Sequence, residues 1–257
     1  MQNKFTAIIQ LRNNSSRLKN KHFLKINDLP IINYLYQTLD SNDYIDRIIF
    51  STSKNKDDDI IENYCKKNNY EYFRGDEENV LLRIADTITK MNVNGDYIIK
   101  FWGDSPIITN DVCNYVIGQF LLKHYGIDYI SNNHPNTYPE GMQLEIIKKS
   151  LIVKLSNTEL NKFHTEHVTT VIWMNPDTYT VGNVVKLNPT NSKYRMVLDY
   201  CEDYLLIKKF LEKFNYKLTG IKLSDLEKYL DQNPEIMDLN KNYIESEEAY
   251  YKRILGN

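Results

Sequence analysis

Glycine is scarce in this 257-residue chain, and the first one is Gly75. No G-x-x-x-x-G-K-[ST] or G-x-G-x-x-G loop can therefore follow the first strand-like segment, which argues against P-loop kinases and amino-terminal Rossmann dehydrogenases. Cysteine is equally sparse. Cys65, Cys113 and Cys201 are far apart and odd in number, which fits neither a disulfide framework nor a zinc pattern and points to reduced thiols. No run approaches the ~18 apolar residues of a membrane span. The start, Met1-Gln2-Asn3-Lys4, lacks the apolar stretch and small-residue cleavage site of a signal peptide. A cytoplasmic protein is expected. A formal charge of −2 gives no net pull toward nucleic acid or an anionic membrane surface.

With 42% hydrophobic residues there is enough apolar material for a sizeable core. Short apolar runs at Phe5–Leu11, Arg47–Thr52, Tyr70–Phe73, Asp96–Phe101 and Ile127–Ile130 read as strands. Between them, helical patterns follow Pro30 and cover Asp57–Lys67, Asn79–Met91 and Asp111–His124. This alternation predicts an α/β fold with a mostly parallel sheet covered on both faces. Further on, Gln143–Ile147 and Tyr194–Leu198 read as strands and Thr178–Leu187 as an exposed hairpin strand. Asn161–Trp173 and about Cys201–Phe214 read as helices, and two more helical patterns follow Ser224. Without linker, repeat or low-complexity segment, one continuous domain is expected over 1–257. Strand and helix alternate to about 132, a less regular stretch covers 133–220, and a helical tail runs over 221–257.

Ligands of such sheets sit at the carboxyl ends of the strands. The loop Arg12–Lys21 leaves the first strand there and carries four cations, Arg12, Arg17, Lys19 and Lys21. Charge-assisted hydrogen bonds and backbone N–H groups could hold a triphosphate, and an ordinary solvated loop reads equally well from charge alone. Asp104 ends another strand beside a glycine, a placement suited to Mg²⁺ but also common in turns. Asp199 has a bland alternative as a helix N-cap. Arg83 also reads as a solvated charge on an amphipathic helix, and His167 as a hydrogen-bonded structural histidine.

The segment Ile8-Ile9-Gln10-Leu11-Arg12-Asn13-Asn14-Ser15-Ser16-Arg17-Leu18-Lys19-Asn20-Lys21 resembles the IIQARxGSxRLPGK opening of SpsF-like cytidylyltransferases, relatives of the CMP-KDO and CMP-sialic acid synthetases. Four further blocks follow in the family's order: Phe73–Arg83, Trp102–Ile107, Thr137–Glu145 and Tyr194–Tyr204, with Glu166-His167-Val168-Thr169 matching EHVT. The resemblance implies a Rossmann-like GT-A nucleotide-diphospho-sugar transferase fold with a small antiparallel extension, its half to about 132 binding the nucleotide and its half over 133–220 carrying the acceptor site and the second metal ligand. It implies transfer of CMP from CTP to a small acidic or phosphorylated sugar-like acceptor, with pyrophosphate released and the product destined for a surface polysaccharide. Leu11, Arg12, Asn14, Ser15, Arg17, Lys21, Arg74, Gly75, Arg83 and Asp104 would then contact the nucleotide. Asp104 and Asp199 would hold Mg²⁺, with Arg12, Arg17 and Lys21 completing the catalytic group. Tyr138, Glu140, Gln143, Glu145, Glu166 and His167 would face the acceptor. Related synthetases are often dimers, so a homodimer is a natural expectation.

The departures are Asn14 and Asn20 at the family's glycines, Lys19 at its proline, Asn79 and Gln143 at aspartates, and Tyr200-Cys201 at TP. Asn is the residue after glycine that best accepts a left-handed backbone. Gln143 removes a negative charge, and a more anionic acceptor would compensate. Two rival readings are a GT-A glycosyltransferase, disfavoured by the lack of an Asp-x-Asp strand end, and a non-catalytic nucleotide-binding paralogue.

Overall fold

The computed structural model describes residues 4–246 together with 248, 249 and 252. Strand β1 (Phe5–Gln10) leads into the basic loop, then a hairpin of β2 (Lys25–Ile26) and β3 (Leu29–Pro30). The chain continues through α1 (Ile32–Asp40), β4 (Ile45–Ser53), α2 (Asp59–Asn68), β5 (Glu71–Gly75), α3 (Val80–Lys90), β6 (Tyr97–Trp102) and α4 (Asn110–Gln119). Next come β7 (Tyr129–Ser131), β8 (Glu145–Lys148), α5 (Lys149–Ser156), α6 (Lys162–Glu166), α7 (Thr170–Trp173) and β9 (Val181–Asn183). Three helices follow: α8 (Cys201–Lys213), α9 (Leu223–Gln232) and α10 (Pro234–Met237).

Seven strands form one sheet in the order β5-β4-β1-β6-β8-β7-β9. All pairings are parallel except those of β8, which is antiparallel to both β6 and β7. The continuous apolar runs arise because both faces are covered. On β1, Ala7 and Ile9 face a core shared with α1, α4, α8 and α9, while Ile8 faces a second core with α3, α5 and α7. Phe50 and Ile49 on β4 divide in the same way, as do Ile99 and Ile98 on β6. This is the period-two alternation of a pleated strand.

Four sequence expectations change in detail. Pro30 ends β3 rather than opening a helix, because Asn27 and Asp28 both have positive φ (49° and 61°) and form the tight turn of a two-residue hairpin. The helix expected over Asn161–Trp173 is two short helices broken at Val168, whose φ is 41°. The expected hairpin strand at 178–187 is only β9, pairing in parallel with β7. Tyr194–Leu198 is not a strand. It is apolar because Tyr194, Met196 and Leu198 are buried, and it is pinned at both ends by Met196 N–H to Glu140 O (2.7 Å) and Leu198 N–H to Asp104 O (2.8 Å).

Candidate active site

The carboxyl ends of β1 and β6 are adjacent, and the basic loop leaves one of them. Asn20 takes a left-handed conformation (φ 55°) at one of the two expected glycine positions, and this turns the chain so that Lys21 points inward. Its buried ammonium donates to Asp104 Oδ2 (3.0 Å) and Asp199 Oδ1 (2.7 Å), so two carboxylates distant in sequence share one cation. Burial alone would lower the Lys21 pKa; the two carboxylates overcome it and leave it raised. Burial likewise opposes the Asp104 charge, and Lys21 and then His22 hold its carboxyl below the usual range.

Asp104 follows Gly103, where a Cβ would lie 2.7 Å from that of Leu11, so the strand ends pack closely only with glycine there. His22 is buried beneath it and donates from Nδ1 to Gly103 O (3.1 Å), an oxygen that can only accept. Burial pushes the His22 pKa down to about 4. Asp199 is not the cap of α8. Asp203 accepts from the backbone N–H groups of Asp199 and Tyr200 (2.8 and 2.9 Å), which leaves the Asp199 carboxylate to Lys21, Arg17 (3.1 Å) and Arg195 (3.5 Å).

Of the other expected nucleotide contacts, Arg12, Asn14 and Arg17 are exposed on the loop, and Ser15 is half-buried and accepts from Leu18 N–H (3.3 Å). Arg12 reaches across to Glu166 (3.9 Å). The Leu11 side chain is buried in the core, which leaves only its backbone for a ligand. Arg74 does not join the group. Its guanidinium donates to Ser53 O, Asn55 O, Asp59 and Glu62 at 2.5–2.9 Å, tying β5 to α2. Gly75 admits the fully buried Arg83, whose Cγ would sit 2.7 Å from a Cβ there. Arg83 donates to Asp76 O (2.7 Å), its Nε is buried without a partner, and burial lowers its pKa to about 10. Asn79 caps α3 by accepting from Leu82 N–H (2.8 Å), a task Asn performs as well as Asp.

Beyond Asp104 and Asp199 opens a cleft of about 850 Å³. Glu140 lines it, paired with Arg195. Burial, together with the nearby charges of Asp199 and Asp104, outweighs that pairing and raises the Glu140 pKa to about 6. Gln143 accepts from Gly141 N–H (2.8 Å) and donates to Pro139 O (2.9 Å). It fastens its own loop, so the lost aspartate charge reflects loop structure. Tyr138 departs from expectation: its side chain is buried in the core and is not part of the cleft wall.

Glu145 does reach the cleft, but with three donors: Lys100 Nζ (2.8 Å), Tyr129 OH (2.7 Å) and Thr169 Oγ1 (2.7 Å). Burial raises its pKa, and these donors win and hold it low. The break at Val168 is what delivers Thr169 to it. Glu166 and His167 line the cleft, with the His167 ring 4.9 Å from Phe163.

Several cleft residues escaped the sequence reading: Lys100, Trp102, His134, Trp173 and Arg195, and Tyr243 from the tail. Tyr243 stacks on Tyr200 (3.9 Å, 8°), over which Arg17 also lies (5.3 Å). A lysine inside the apolar run of β6 was the one available signal, since a buried cation needs a partner.

A cationic loop and converging carboxylates at the strand ends of a mostly parallel sheet define a nucleotidyltransferase. More narrowly, the chain belongs to the cytidylyltransferase family, whose model matches residues 6–247. It is 30% identical over 243 residues to the uncharacterized protein MJ1063 of Methanocaldococcus jannaschii, covering 93% of this chain and 95% of that one. It is 28% identical to the spore coat polysaccharide biosynthesis protein SpsF of Bacillus subtilis, covering 91% and 96%. Among solved structures, a cytidylyltransferase from Leptospira borgpetersenii superposes with a TM-score of 0.83 at 26% identity, covering 91% and 97%. The glycosyltransferase and non-catalytic readings give way to this family. No helix among the described residues is long and apolar enough to cross a membrane.

Proposed function

We propose that this enzyme transfers CMP from CTP to a small acidic or phosphorylated sugar-like acceptor in the cytoplasm, making a precursor of a surface polysaccharide. The observation that carries the reading is the Lys21 ammonium held between Asp104 and Asp199 beside an exposed cationic loop. It supports a site where a positive charge is stable between two carboxylates. Two carboxylates, which would leave the other coordination positions to water and phosphate, fit Mg²⁺. Asp104 and Asp199 would hold the ion, which supplies Lewis-acid stabilisation of charge at phosphorus.

An acceptor oxygen attacks the α-phosphorus in line, the bond to the bridging oxygen breaks, and pyrophosphate leaves with that electron pair. Arg12, Arg17 and Lys21 offset the charge on the β- and γ-phosphates. Glu140 and the 133–145 wall orient the acceptor, and positioning is the larger share of the work. A phosphate-monoester acceptor is already ionised and needs no base; a hydroxyl acceptor would pass its proton to solvent water as the new bond to phosphorus forms.

The test is pyrophosphate release with each of the four nucleoside triphosphates against a panel of acidic sugars and sugar or polyol phosphates. CTP should be preferred. Asp104→Asn and Asp199→Asn should each lower turnover by roughly 100- to 1000-fold with the fold intact. Full turnover in either variant removes that residue from the mechanism.

A further inference from the structure

Three consecutive aspartates, Asp57 to Asp59, lead into α2, and the middle one differs from its neighbours. Asp57 and Asp59 are exposed, whereas Asp58 is 1% exposed. It occupies the N-cap position of α2, yet its carboxylate bonds none of that helix's N–H groups. Its Oδ2 instead accepts from Thr52 Oγ1 (2.9 Å), Ser53 N–H (3.0 Å) and Ser53 Oγ (2.5 Å) at the carboxyl end of β4. Its Oδ1 accepts from the backbone N–H of Asn13 in the basic loop (2.6 Å). The Asn13 side chain extends the tie, its Nδ2 donating to Asp57 O (3.2 Å) and to Asn20 Oδ1 (2.8 Å). Both ends of the loop are thus fastened at one point: Asn13 follows Arg12, and Asn20 is the left-handed residue that precedes Lys21. Asp58 itself does not line the cleft. The buried Arg83 guanidinium senses the same group, since Asp58 favours its charge and Arg12 opposes it.

We propose that Asp58 is a positioning residue for the triphosphate: through Asn13 it sets where Arg12, Arg17 and Lys21 stand. The assignment rests on the cytidylyl-transfer reading of the cleft and deepens it, giving the cationic loop a fixed base beside β4. Cations on an untethered loop would have to be ordered at each binding event, and that ordering subtracts from affinity. An Asn at position 58 separates the two halves of the contact, because an amide offers one acceptor oxygen and one NH₂ where a carboxylate offers two acceptors. Three donors converge on the Oδ2 position, so the amide oxygen belongs there and the NH₂ is turned against the Asn13 N–H. The loop is released while the β4 contacts stay. Loss of the negative charge also leaves Arg12 and Arg83 to repel each other.

The test compares Asp58→Asn with Ser53→Ala in the full chain. Ser53→Ala removes one bond to Oδ2 and leaves the Asn13 contact in place. The readouts are affinity for CTP in Mg²⁺ buffer by calorimetric titration, urea stability, and exchange of the Asn13, Leu18 and Phe23 amides, all hydrogen-bonded in or beside the loop. Asp58→Asn should weaken CTP binding about tenfold and speed exchange of those amides about tenfold or more, with the β1 amides unchanged. Ser53→Ala should lose comparable stability yet keep CTP affinity and loop exchange within about twofold. If Asp58→Asn does not fold, Asn13→Ala, which cuts the ties to Asp57 and Asn20, should reproduce the loop-specific effect. Unchanged CTP affinity in Asp58→Asn (or in Asn13→Ala taken in its place), with or without a loosened loop, overturns the assignment. An equal loss of CTP binding in Ser53→Ala overturns it too. If the wild type binds no CTP, the proposed function fails, and amide exchange still decides whether Asp58 holds the loop. If the wild type binds CTP and Asp58→Asn binds it as well, the positioning role alone fails.

Discussion

Replacing Lys21 by Met keeps the length of the side chain and removes the charge that Asp104 and Asp199 share at 3.0 and 2.7 Å. Lys21 is 7% exposed and the Asp199 side chain is buried, while Asp104 keeps partial access to water through the cleft. Breaking a fully buried ion pair from one side costs about 3–5 kcal/mol; here Asp199 keeps Arg17 and Arg195, so the loss falls mainly on Asp104 and about 2–3 kcal/mol is expected. For a chain of this size that is a fall in Tm of up to roughly 10 °C at neutral pH. The penalty has a pH signature. In the wild type, Lys21 lowers the Asp104 pKa, so this contribution is present above the unfolded carboxylate range and is lost as pH falls through the lowered native value. In the variant Asp104 loses the cation that holds its pKa down and takes up a proton more readily, so the stability gap should narrow as pH falls through the carboxylate range. A divalent cation should stabilise the variant more than the wild type. Urea unfolding across pH, with and without Mg²⁺, checks all three. A loss below about 1 kcal/mol, or a gap that does not change with pH, refutes the electrostatic account.

Three other outcomes follow from the same geometry. Arg74→Ala should leave turnover with CTP within about twofold while lowering stability by ~1–2 kcal/mol, since its bonds tie β5 to α2 outside the cleft; a large kinetic loss with intact stability would return Arg74 to the nucleotide. The native His22 pKa of about 4 lies below the unfolded value of 6.5, so the unfolded chain binds protons first and stability falls as pH drops between those values. At about pH 5 this amounts to ~2 kcal/mol, and His22→Gln should show a correspondingly flatter stability–pH curve. Gly141 has φ of +98°, and a Cβ there would collide with the Met196 carbonyl, so Gly141→Ala should cost ~2 kcal/mol or more by urea midpoint. It should also lower turnover, because the displaced segment leads directly to Asp199.

The elements legible in sequence were those whose pattern is local. The runs of β1, β4 and β6 read as strands because both faces are buried, and the cluster of cations marked the loop between β1 and the hairpin. Asp104 was legible from its strand end, and Asp199 from the family's order of blocks. What the sequence concealed was partnership. Lys100 and Glu145 meet only because β8 runs antiparallel into the sheet. Arg74 and Tyr138 sit in matching motifs, yet one is consumed by α2 and the other by the core. The stretch 194–198 looked like a strand because burial by loops and burial in a sheet leave the same apolar trace.

The stack of Tyr243 on Tyr200 joins the last part of the described fold to a ring that Arg17, from the first loop, already covers. The wall of the cleft is therefore finished by residues synthesised long after the loop it faces. A chain stopped short of Asn242 would still own the complete sheet and both acidic residues, yet its cleft would stand open to water on the tail side. Phe5, by contrast, begins β1 at the amino end of a central strand, opposite the strand ends where the cleft opens.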